Sequence, residues 1–367
     1  MSESYVTLGQ ICDKGSSNIA QKDLAEREGK YPIYGAAGFI KNVDFAHQKR
    51  PYIAVVKDGA GIGRVMKLPA YSSVIGTMQY IFPKENVDID YLFYALQYMN
   101  LGKYFSGSTI PHIYFRDYQK GRLKLPAMKV QQHQAETLSR IDALFSCRQK
   151  QIALLDEIVK SRFVEMFGDP VRNPFGWSTR PLLEMGYCKN GMNFHTGDRG
   201  IEMHCLGVGD FKNYSVIDGT DNLPIVSLNE SPPEESMLQD GDIVFVRSNG
   251  NKALVGRCLV VYPRSTPTTY SGFCIRYRLT SDEVNTSYLL RVLKTDSMRE
   301  RIAGRGANIQ NLNQQILATL EIPTPPMKLQ ERFAAFVAQV DKSKVEIQKA
   351  IDQLEILKKS LMQQYFG

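Results

Sequence analysis

A chain of 367 residues exceeds what one core ordinarily organises and points to two or more domains. A composition of 43% hydrophobic and 23% charged residues is globular; it excludes disordered and fibrous classes, and no apolar run reaches the about 20 residues of a membrane helix. The net charge of +7 is mild, +5 over residues 1–126 and −1 over 169–323, so it admits a polyanionic partner without demanding one.

The opening "MSESYVTLGQ" carries no secretory signal pattern, and a cytoplasmic location is expected. Residues 1–126 then read as short β-rich runs. In "YIAVVKDGAGIGRVMKLP" (52–69) a strand, a glycine loop and a second strand follow one another, with Lys57, Asp58, Arg64 and Lys67 in or beside the loop. A phosphate-cradling G-x-G loop would open a helix, whereas "RVMKLP" is strand-like and ends in proline, so a nucleotide site is set aside. A second loop, "SGSTIPHIYFRDYQK" (106–120), adds Ser108, Thr109, His112, Arg116 and Lys120 before the last strand. Long cations beside short polar groups suit phosphate clamps and base edges, and an ordinary polar hairpin is the other reading.

From Pro126 onward the period changes. Leu138, Ile141, Phe145, Arg148, Ile152, Leu155, Val159, Arg162 and Met166 follow a 3-4 spacing that predicts one long helix over 127–168, with a coiled-coil seam. "GDPVRNPFGW" (168–177), rich in glycine and proline, ends it. Its "NPFG" resembles the target-amine motif of amino-methyltransferases but lacks the second proline, and no cofactor-binding loop accompanies it.

Residues 169–323 repeat the theme. "DIVFVRSNGNKALVGRCLVVYP" (242–263) again reads strand, loop, strand, with Arg247, Ser248, Asn249, Asn251, Lys252 and Arg257. "GRGANIQNLNQQ" (304–315) holds Asn308, Gln310, Asn311 and Asn313, amides able to read adenine bidentately, behind Arg301 and Arg305; helix capping is their other reading. His195, His204 and Cys205 lack zinc-site spacing. The cysteines (Cys12, Cys147, Cys188, Cys205, Cys258, Cys274) stand singly and are expected to be reduced and mostly buried.

The proline-rich "PTPP" (323–326) introduces a second predicted helix over 324–367. Shifted by 199 residues, 131–168 falls ungapped on 330–367 with eleven of 38 positions identical, Gln131, Asp142, Ile152, Leu155, Phe167 and Gly168 among them. The second seam is Val337, Val340, Lys344, Ile347, Ile351, Leu354, Lys358, Leu361 and Tyr365. Charged seam positions in one copy are apolar in the other, as two non-identical partners would show. The helices are therefore expected to pair, and a chain that must return through a globular half pairs them antiparallel. Each repeat reads as a mixed globular domain followed by a long helix.

With these residues in place the chain resembles a specificity subunit of a type I restriction–modification enzyme. The resemblance rests on the tandem layout, "YPIYGAAG" (31–38), the "LKLP" and "LEIP" strand exits, the proline-to-glutamine spacing at each helix start, and "MFGDPVRNPFGW". It implies an α+β, pseudo-two-fold fold: target-recognition domains at 1–126 and 169–323, separated by antiparallel spacer helices at 127–168 and 324–367. It further implies a non-catalytic chain without a cofactor, which reads a bipartite duplex site and docks two modification subunits carrying S-adenosylmethionine. Restriction subunits, where present, add ATP and Mg. The second half opens differently, on "GMNFHTGDRGIEMHCLGV", so the halves should read different sequences. A self-contained DNA adenine methyltransferase, a recognition subunit of another restriction class, and a coiled-coil scaffold remain as rivals.

Overall fold

The computed structural model describes residues 5–59, 61–107, 111–194, 199–212, 215–303 and 311–367. Its two longest elements are helices Met128–Phe167 and Met327–Phe366, 40 residues each and so about 60 Å of helix. Pro126 and Pro326 stand just ahead of them, where a missing backbone N–H is harmless. The chain divides into two compact units, Met1–Gln151 with Glu346–Gly367, and Ile152–Val345.

In the first unit a four-stranded antiparallel sheet runs Cys12–Ser16, Met78–Pro83, Tyr52–Val56, Val65–Leu68. A three-stranded sheet places Tyr31–Gly35 between Gly38–Val43 and Ser73–Val74. Tyr52–Val56 is buried at every position, as a strand covered on both faces must be, so its sequence is continuously apolar. The second unit repeats the sheet as Gly186–Asn190, Cys274–Leu279, Asp242–Val246, Cys258–Tyr262 and extends it with the parallel strand Val216–Asp218. Its three-stranded sheet is Ile225–Leu228, Ile201–Leu206, Thr268–Tyr270.

The long helices pair antiparallel inside each unit. In the first unit Lys358 donates to Asp142 at 2.5 Å, and Leu138 and Phe366 share one core. In the second, Lys344 donates to Asp156 at 2.6 Å and the Phe163 and Phe333 rings meet at 5.5 Å. As numbering rises along one helix it falls along the other. Every predicted seam residue is buried or half-buried: Leu138, Ile141, Val159, Val340 and Ile351 are buried, whereas Phe145, Ile152, Leu155, Val337, Ile347, Leu354 and Leu361 are half-buried. The seam lysines escape it by reaching aspartates on the facing helix, while Arg148 and Arg162 bond Gln151 and Glu165 on their own helix.

The compact unit differs from the sequence repeat, in which each domain is followed by its own helix. The first unit's core joins Ala135 and Leu138 of the first helix to Phe366, the end of the second. The second unit's core joins Phe163 and Phe167 to Phe333 of the second helix's start. Apolar helix ends are covered by whichever domain lies beside them; chain order does not decide it.

Candidate nucleic-acid interface

Two loop clusters are built on one backbone frame. In the first unit strand Tyr52–Val56 delivers Lys57, whose N–H donates to Thr77 O (3.0 Å) and whose carbonyl accepts from Ile113 N–H (2.9 Å). In the second, strand Asp242–Val246 delivers Arg247, whose N–H donates to Phe273 O (2.7 Å) and whose carbonyl accepts from Leu312 N–H (2.7 Å). Each loop then closes alike: Gly63 N–H bonds Val56 O and Gly256 N–H bonds Val246 O, both at 2.8 Å. Both glycines hold positive φ, +79° and +72°, which side chains rarely adopt; a Cβ on Gly63 would also strike the backbone of Gly102. The two loops singled out in each half of the sequence are thus brought together, Asp58 bridging to His112 and Ser248 to Asn311.

In the first cluster the Asp58 carboxylate lies 2.7 Å from His112 Nδ1, with Lys57 Nζ 3.9 Å from the same carboxylate. Arg64 ties back to Ala36 O at 2.8 Å, on the turn of "YPIYGAAG". Exposed Arg116 lies 4.8 Å over the exposed Tyr114 ring, which stacks beside His112. Lys67 is not part of this cluster: it pairs with Asp90 in the first turn of helix Ile89–Tyr98. Lys120 is exposed at the exit towards strand Arg122–Lys124. Ser108 and Thr109 lie outside the described residues.

The second cluster opens a cleft lined by Ser248, Asn249, Gly250, Lys252, Phe273 and Asn311. Asn249 and Asn251 shape its loop, since Asn249 Oδ1 accepts from Asn251 N–H (2.8 Å) and Asn251 Oδ1 from Ala253 N–H (3.1 Å). Arg257 bonds Ala253 O at 3.2 Å, and Arg247 reaches Gly272 O at 3.4 Å. Asn313 caps helix Gln314–Ala318 by accepting from Ile316 N–H at 2.9 Å, so its carbonyl serves the helix. Arg301 is exposed on helix Asp296–Ala303. Arg305, Asn308 and Gln310 lie outside the described residues, as does His195.

The methyltransferase-like "NPFG" has a structural use. Asn173 donates its amide to Trp177 O (2.7 Å) and accepts from Trp177 N–H (2.9 Å), so both ends of the group that would hold a target amine close a turn. Cys12, Cys205, Cys258 and Cys274 are buried and Cys188 half-buried, while Cys147 is exposed. Burial pushes the Cys258 thiol up to about 11. Among the described residues no group of His, Cys, Asp and Glu is arranged to hold a metal, and no helix is long and apolar enough to cross a membrane.

The family model for the type I restriction modification DNA specificity domain matches residues 3–157 and again 208–355. The chain belongs to that family. A specificity subunit of this kind is a non-catalytic component of its system. The chain is similar to the MjaVIII specificity subunit of Methanocaldococcus jannaschii, 23% identical over 372 residues, covering 92% of this chain and 85% of the relative. Its fold matches the specificity subunit of M. genitalium with a TM-score of 0.59 at 16% identity, over 100% of this chain and 96% of that one. A chain from a structure of type I complex assembly and conformational transition matches at 0.57 and 14% identity, over 99% and 97%.

Sequence reasoning about this specificity subunit missed Tyr114, Thr77 and Phe273. Tyr114 was visible as an aromatic inside a cationic loop. Thr77 and Phe273 gave no signal, because "IGTM" and "SGFC" share only a glycine and become equivalent through the hydrogen bonds of Lys57 and Arg247.

Proposed function

We propose that each recognition domain reads one half of a split duplex sequence, and that the paired helices set the gap between the halves and carry two modification subunits. One observation carries the reading: the same backbone frame is built twice, and it presents Lys57, Asp58 and His112 in one unit but Arg247, Ser248 and Asn311 in the other. A repeated scaffold with differing tips suits two half-sites of different sequence, since cations position on phosphates while short polar groups address base edges. The cationic residues supply the sequence-blind share of affinity.

In this reading the chain binds no cofactor itself. S-adenosylmethionine belongs to the modification subunits; restriction subunits, where the system has them, bring ATP and Mg. The complex works in the cytoplasm, where its DNA is. Expressing the chain with its modification subunit in a host free of other methylases, then mapping methylated adenines, tests the proposal. A motif of two short specified blocks separated by a fixed unspecified gap is expected. A continuous motif, or S-adenosylmethionine binding by the isolated chain, would contradict it.

A further inference from the structure

The frame that holds each loop cluster contains one further position, and unlike half-buried Lys57 and Arg247 it is exposed. Thr77 and Phe273 are the residues whose carbonyls accept the N–H of Lys57 and Arg247, and Phe273 O receives Ser248 N–H as well at 3.4 Å. Each follows a glycine, Gly76 or Gly272, and leads into the matching strand, Met78–Pro83 or Cys274–Leu279. Both side chains face out, Phe273 with 60% of its surface exposed. A lone exposed phenylalanine is ordinary. This one lines a cleft otherwise made of Ser248, Asn249, Gly250, Lys252 and Asn311, groups suited to phosphates and base edges.

Thr and Phe differ in nearly every property, and that limits what this position can do in both units. Reading by hydrogen bond is excluded, because Phe has no donor or acceptor. A wedge between base steps needs a large apolar side chain, and Thr is not one. Apolar contact with the C5-methyl group of thymine in the major groove is open to both. We infer that this position reads an A·T pair in each half-site through the thymine methyl, with Thr77 serving the first domain and Phe273 the second. The inference rests on the proposed split-site reading and adds a named reader to it.

The test uses the complex assembled with its modification subunits and duplexes in which the thymines of each half-site are replaced singly by deoxyuridine, which lacks the methyl. One replacement in the half-site read by the second domain should weaken binding about four-fold, the worth of one buried methyl. Phe273→Ala should bind the thymine duplex correspondingly less well, show no further loss on that deoxyuridine duplex, and leave the other half-site untouched. Phe273→Leu, which keeps apolar surface, should retain part of the discrimination. Thr77→Ser should erase the methyl effect in the other half-site while keeping the hydroxyl. A half-site without an A·T pair, no effect of any deoxyuridine, or a Phe273→Ala loss spread over both half-sites would overturn the inference while leaving split-site reading intact. Absence of any split site would instead remove the proposed function.

Discussion

Gln131 and Gln330 are buried, and they make the same three hydrogen bonds. Gln131 Oε1 accepts from Asp88 N–H at 2.9 Å and its amide donates to Asn86 O and Pro126 O. Gln330 Oε1 accepts from Asn285 N–H at 2.8 Å and donates to Glu283 O and Pro325 O. Each glutamine thereby fixes a long helix to the cap of a short one, Ile89–Tyr98 or Thr286–Lys294. Gln330→Ala strands the buried Pro325 carbonyl and the part-buried Asn285 N–H and Glu283 carbonyl, and should destabilise its unit by about 1–3 kcal/mol in denaturant unfolding, most of it from the buried group that water cannot reach. The thiols give a second check. With Cys147 alone exposed, one fast-reacting thiol out of six is expected from a thiol reagent on the native chain. Burial pushes the thiols of Cys12 and Cys205 up to about 12. Their folded values exceed the unfolded one near 8.5, so the stability they confer is complete below about pH 8.5 and is lost as pH rises towards 12. Unfolding in urea at pH 7.5 and pH 10.5 should show the lower midpoint at the higher pH.

At the scale of elements, the long helices were legible because a seam repeats over many turns and summed periodicity outweighs any single exception. Their pairing was legible from charge complementarity, and its antiparallel sense from a chain that must return through a globular half. The depth of burial was not, since it depends on what else covers each seam position. Ile152 and Ile351 are equivalent in the repeat, yet Ile351 keeps only 5% of its surface and Ile152 is half-buried. Ile351→Asp should therefore cost about 3 kcal/mol or more and Ile152→Asp about 1–2 kcal/mol, read from paired denaturation curves. Equal costs would mean that the seam is uniformly covered. The loop clusters were half legible. Composition marked the four loops, whereas their union needs the bonds of Lys57 to Ile113 and of Arg247 to Leu312, contacts between distant segments that no local pattern encodes. Asn313 shows why type alone does not decide: of the two uses its amide admits, base reading and helix capping, its carbonyl is engaged in the second.

For the whole molecule, the repeat and the family agree on two tandem domains, but the repeat boundary and the compact unit do not coincide. Each core borrows a helix end from the other copy, which chain order hides. Charge should act through the loop clusters: Lys57→Ala, Arg64→Ala, Arg247→Ala and Lys252→Ala should each flatten the dependence of log K on log salt by about one in the assembled complex. Lys67→Ala, tied to Asp90 away from the cluster, should leave the slope unchanged. The central claim is that each recognition domain owns its half of the site. Methylome sequencing of a host carrying a chimera tests it most directly: residues 1–168 are kept and the second recognition domain is taken from a relative, with the helices preserved. The expected result is a methylated motif changed in one block, with the other block and the gap intact. A motif altered in both blocks would show that the domains read DNA jointly, and would contradict the account.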